Sequence, residues 1–180
     1  MYFEDSDIKI AGDKPSKDIK KNAKQNESGI ISKEDTKRAK ALGESVALRF
    51  INDANHFSVG EDLNDCNMII QRRLLLSFAT TVGFEQYCPN DTVCGIAQKS
   101  FLDTLKKNNS ELYDTSSDTG AFSFYYLAFR RGGDVDRRIG QTFAMLCAHD
   151  GDPVYQELGE ALYCWFLSVV RRAVSEQDFN

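Results

Sequence analysis

From about residue 33 onward, apolar positions recur at spacings of three and four, the period of a helix that buries one face. Ala41, Val46, Ala47, Phe50 and Ile51 fall on one side of a helix predicted over residues 33–53. Ser32, with Asp35 three positions on, has the arrangement of a capping box at its start. After a turn at 52–60, Leu63 to Phe84 is apolar nearly all round (Met68, Ile69, Leu75, Phe78, Val82) and free of proline, as expected of the central helix of a bundle. Pro89 breaks the chain, Asn90 or Asp91 can cap the next helix, and Val93, Ala97, Phe101 and Leu105 step at four residues along it over 91–107.

The stretch from Asn108 to Gly120 is rich in Asn, Ser, Asp and Thr and reads as a loop, with at most a short turn at 110–113. The aromatic run Phe122, Phe124, Tyr125, Tyr126 and Phe129 does not alternate with polar residues, so a helix over 121–131 is favoured over a strand. Asp118 is placed to cap it and Gly132-Gly133 to stop it. Asp134 caps a helix running to about His149, with Gly151 as a left-handed stop. Asp152 and Pro153 open the last helix, over 153–175, where Tyr155, Leu158, Leu162, Trp165 and Val169 make one stripe. The pattern predicts an all-α fold: a single helical bundle of about six helices over residues 31–180, preceded by a mobile, charged N-terminal arm over residues 1–30.

Composition sharpens the division between arm and bundle. The 180 residues suit one domain, and 42% hydrophobic residues suffice for a core. Residues 1–40 carry ten Lys+Arg against eight Asp+Glu, whereas residues 41–180 carry twelve against nineteen. The segment KIAGDKPSKDIKKNAK has too few apolar side chains to offset the entropy of ordering it, so the arm reads as a leader with no role of its own, the alternative being that it docks on a partner or neighbouring subunit through Tyr2, Phe3, Ile8 and Ile10. A net charge of -5 argues against nucleic acid or an anionic membrane as partner. There is no apolar run of membrane-spanning length and no signal-peptide pattern at the start, so the expected location is the cytoplasm. Five cysteines without Cys-x2-Cys spacing read as reduced, buried thiols, with no metal site expected.

Candidate chemistry is sparse. Eight arginines occur as four adjacent pairs: Arg72-Arg73, Arg130-Arg131, Arg137-Arg138 and Arg171-Arg172. Arginine binds phosphate and carboxylate in bidentate fashion, although adjacent helical residues diverge by about 100° and only one of each pair could reach a shared site. Arg73, Ser77 and Thr80 form one polar stripe on an otherwise apolar helix, and Arg137 and Arg138 lie in a first turn, where positive charge is unfavourable. These five residues are the candidate ligand-binding set. The pair His149-Asp150, with His56 upstream, is similar to part of the metal site of HD-type phosphohydrolases, but at a helix end both residues have ordinary dipole and turn roles. The loop YDTSSDTG could cradle an anion, though its residues are also ordinary caps. No phosphate loop, nucleophile elbow, Cys-x-x-Cys or cofactor-binding motif is present. The expected function is a non-enzymatic helical interaction or regulatory module. It would act by self-association or with a protein partner, through the last helix or the aromatic run. The alternative is an enzyme or sensor that binds a small phosphorylated or carboxylated ligand through the arginines.

Overall fold

A computed structural model describes residues 31–56, 66–117, 120 and 122–179. The predicted arm over residues 1–30, the turn from residue 57 onward and the Asp118 cap lie outside these, as do the side chains of His56 and Cys66. The described residues are all helical apart from turns, with seven helices: α1 (Lys33–His56), α2 (Cys66–Tyr87), α3 (Asp91–Asn108), α4 (Ser110–Ser117), α5 (Ser123–Arg130), α6 (Val135–Leu146) and α7 (Pro153–Ser175).

The capping signals account for the boundaries. The Ser32 hydroxyl accepts from the Asp35 backbone N–H at 2.9 Å and donates to the Asp35 carboxylate at 2.7 Å. Side chains of Asn90, Asp134 and Asp152 accept from N–H groups in the first turns of α3, α6 and α7, and Pro153 occupies the first turn of α7. Three expectations change. The turn expected over 52–60 does not begin at 52, because α1 continues to His56. The stretch expected to be a loop contains α4, because Asn109 closes α3 and opens α4 at once: its N–H donates to Leu105 O at 2.7 Å and its Oδ1 accepts from Leu112 N–H at 3.1 Å. The hydroxyls of Thr115 and Ser117 donate back to carbonyls four residues earlier, so they are satisfied within the helix. α6 ends at Leu146 rather than near His149. Ala148, at φ 63°, takes the left-handed position, with His149 N–H bonded to Ala144 O and Ala148 N–H to Met145 O in a Schellman arrangement. Gly151, also left-handed at φ 80°, serves the next turn.

α2 is central, as its all-round apolarity predicts. It packs against α1, α3, α4, α6 and α7, and its Phe78 reaches α5. Around the fully buried Phe78 ring stand Tyr125 at 5.4 Å and Tyr126 at 5.1 Å, with Phe122, Phe129 and Tyr163 just beyond 6 Å. Phe122, Tyr125, Tyr126 and Phe129 recur at helical spacing, which is why the aromatic run is a helix with one face turned inward. On α1 the buried stripe runs through Leu42, Val46, Ala47 and Phe50, while Ala41 faces out.

Three helix crossings depend on glycine. A Cβ on Gly43 would overlap the Ala97 carbonyl oxygen of α3, and one on Gly140 would overlap the Gln156 carbonyl oxygen of α7. A Cβ on Gly159 would lie 2.6 Å from the Phe143 Cβ, and one on Gly83 would lie 2.7 Å from Val170 Cγ1. The pairs α1/α3, α6/α7 and α2/α7 therefore meet with no room for a methyl group.

Candidate functional site

The polar stripe on α2 runs from an ion pair at the surface into the interior. Arg73 Nη1 donates to Glu111 Oε1 of α4 at 2.5 Å. Ser77 and Thr80, one and two turns on, are buried and border a cavity of about 170 Å³ between α2, α3, α4 and the start of α5. The neighbouring Arg72 is also buried and points elsewhere, donating Nη2 to Ala54 O at 2.9 Å near the end of α1. There a cation complements the carbonyl end of the helix. Burial, and next the charge of Arg73, lowers the Arg72 pKa from its usual value. The divergence of adjacent helical residues thus sends the first arginine pair to two structural tasks.

Arg137 is exposed in the first turn of α6, where its backbone N–H donates to the Asp134 cap at 3.4 Å. Arg138 donates Nη1 to Gly132 O and borders a surface depression of about 310 Å³ together with Arg131, Gln141, Met145 and Asp150. Arg73 borders neither this depression nor the cavity beside Ser77. The structure brings Ser77 and Thr80 together and sets Arg73, Arg137 and Arg138 in three different surroundings. The other pairs end helices: Arg130 lies in the last turn of α5 and Arg172 in that of α7, and the Arg171 guanidinium stands 5.9 Å from the centre of the Tyr87 ring.

Potential nucleophiles and ligands have local roles. The His149 ring stacks on Tyr155 at 3.8 Å and 9°, pinning the α6–α7 turn. No group of three or more His, Cys, Asp or Glu suited to a metal occurs among the described residues. Burial, then the nearby Cys94, pushes the Cys88 thiol up to about 12. Burial, then Asp136, pushes Cys164 up to about 11, and burial chiefly raises Cys94. These thiols stay protonated at neutral pH and are poor nucleophiles. No described helix is long and apolar enough to cross a membrane.

Leu48, Ile70 and Val154 are exposed apolar residues on three other helices, whereas the outer face of α5 carries two such residues together. While four aromatics turn toward Phe78, Phe124 is 52% exposed and Leu127 is 56% exposed, three residues apart on the opposite side. Met145 of α6, 42% exposed, borders the adjacent depression together with Ala128 of α5. Glu111 of α4 also matters and gives no signal in sequence, while Ser116 belongs to the stretch YDTSSDTG, whose described residues up to Ser117 are helical rather than an anion-cradling loop. Leu112 and Ser116, both buried and four apart, are the only trace of α4.

No family model, curated protein or solved structure matches this chain.

Proposed function

We propose that this protein is a non-enzymatic helical interaction module whose contact surface is the outer face of α5. The supporting observation is the exposure of Phe124 and Leu127 on a helix whose other side is fully used by the Phe78 cluster. Single exposed apolar residues are ordinary, but an aromatic and a leucine three residues apart on one face make a paired apolar surface of the kind that a partner can cover. The rim supplies charge: Arg131 and Asp150 border the same depression as Met145. The partner is a protein, either a second copy of the chain or another polypeptide. The reading is supported further by the engagement of Arg72, Arg73 and Arg138 with main-chain or carboxylate oxygens, which gives them structural work to do.

The test compares wild type with the double variant Phe124→Asp/Leu127→Asp, with an unchanged helical spectrum as the folding control. Sedimentation over a concentration series reads self-association, and capture from lysate of the source cell with mass spectrometry reads other partners. Wild type should show at least one association that the double variant loses. If sedimentation and capture profiles of the two are identical, the proposal is wrong.

A further inference from the structure

The surface depression between α5 and α6 carries an inference that does not rest on the contact surface of α5, since Phe124 and Leu127 do not border it. Two guanidiniums from different arginine pairs do: Arg131, which closes α5, and Arg138, in the first turn of α6. Asp150, in the turn between α6 and α7, adds a carboxylate to the same lining. The apolar part is supplied by Ala128, which is buried, and by the exposed Met145. A volume of about 310 Å³ stands at the small end of the range for small-molecule pockets, about 300–1,000 Å³.

None of these three charges answers another. Among the described residues, neither Arg131 nor Asp150 joins an ion pair, and Arg138 meets no carboxylate. Arg138 is nonetheless held in place, because its Nη1 donates to Gly132 O. Gly132 and Gly133 are both left-handed, at φ 65° and 72°, and a Cβ on Gly133 would lie 3.4 Å from Arg138 Nη2. The glycine turn therefore passes close beside the guanidinium and keeps a side chain away from Nη2. A cation in a first helical turn is opposed by the helix dipole, an opposition that a bound carboxylate would offset. Thr142 Oγ1, also in the lining, donates to Arg138 O at 2.9 Å and so can only accept from a ligand.

A bare anion would match the two arginines and be opposed by Asp150, and a bare amine would meet the reverse. A hydrocarbon would take water from all three charges and return nothing. We infer that the depression is a binding site for a small zwitterion, an α-amino acid with an apolar side chain. Its carboxylate pairs with Arg131 and Arg138, whose planar forks suit that group. Its ammonium donates to Asp150 and the Thr142 hydroxyl, and its side chain lies over Ala128 and Met145.

The experiment titrates the whole protein near neutral pH with L-leucine, isocaproate and isoamylamine, reading amide chemical shifts. Isocaproate is leucine without its ammonium group, and isoamylamine is leucine without its carboxylate. Leucine should move the amides of Arg138, Thr142 and Asp150, and each of the other two should bind about 5-fold more weakly or worse, the scale of one part-exposed charged pair. Asp150→Asn should weaken leucine and isoamylamine but strengthen isocaproate, an inversion that a misfolded variant could not produce. Arg138→Gln should weaken leucine and isocaproate and leave isoamylamine unchanged. The double variant Phe124→Asp/Leu127→Asp should bind leucine as wild type does, so a failure of this site and a failure of the α5 surface are read separately. The inference is overturned if leucine moves none of these amides at about 10 mM, roughly ten times a millimolar dissociation constant. It is overturned equally if isocaproate binds wild type as tightly as leucine, or if Asp150→Asn keeps the full preference for leucine over isocaproate.

Discussion

The α6/α7 junction and the outer face of α5 put apolar surface to opposite uses. At the junction Gly140 lies against the Gln156 carbonyl and Gly159 against the Phe143 side chain, so tightly that a single added carbon has nowhere to go. On α5, Phe124 and Leu127 stand more than half exposed, with no described helix packed over them. The same kinds of residue thus do structural work where the chain supplies the partner and remain available where it does not. Which of the two applies is decided by the other side of the contact, a thing no residue reveals about itself.

Substitutions can sharpen this contrast, beginning on the inner side. Phe78→Ala, which removes the ring around which five aromatics gather, should destabilise by about 3–5 kcal/mol in denaturant unfolding. Next, Gly140→Ala should cost about 2–3 kcal/mol despite better helix propensity, because the clash is with backbone. Gly95→Ala in α3, where a Cβ meets nothing within 4 Å, should instead stabilise by up to about 1 kcal/mol. Equal effects at the two glycines would mean that the α6/α7 crossing does not depend on the missing side chain.

A pH scan probes the buried thiols. Cys88 at about 12 and Cys164 at about 11 lie above the ordinary thiol value of about 8.5, so the unfolded chain releases these protons first as pH rises. Their contribution is full below about pH 8.5 and is lost as pH climbs toward the folded values. Tm should therefore hold to about pH 8.5 and then decline, and Cys88→Ala should soften the decline. A decline unchanged in that variant would assign it to other groups.

The sequence made legible what depends on short-range signals. Ser32, Asn90, Asp134 and the Asp152-Pro153 pair marked helix starts that the structure confirms, and Val93, Ala97, Phe101 and Leu105 are the buried residues of α3. Two local features escaped. α4 is built largely from Ser, Thr and Asp, which favour turns when alone; here Asn109, the burial of Leu112 and the Arg73–Glu111 pair hold them helical. The left-handed Ala148 was hidden by the more obvious glycine at 151. The stripe of Arg73, Ser77 and Thr80 was visible as a pattern, but its division into an ion pair and a cavity wall depends on α4, whose presence the sequence did not announce.

The smallest expected effect on folding belongs to the outer face of α5. Phe124→Ser and Leu127→Ser should each change stability by no more than about 0.5 kcal/mol, as for exposed positions generally. A loss several times larger would make that face part of the core. The most direct probe of its role is photo-crosslinking in the source cell, with benzoylphenylalanine at Leu127 compared with the same group at the exposed Glu157 of α7. Position 127 should give discrete protein adducts that the added change Phe124→Asp abolishes, and position 157 should give none of them. Absence of adducts from 127, or the same adducts from both positions, would rule out the outer face of α5 as the contact surface.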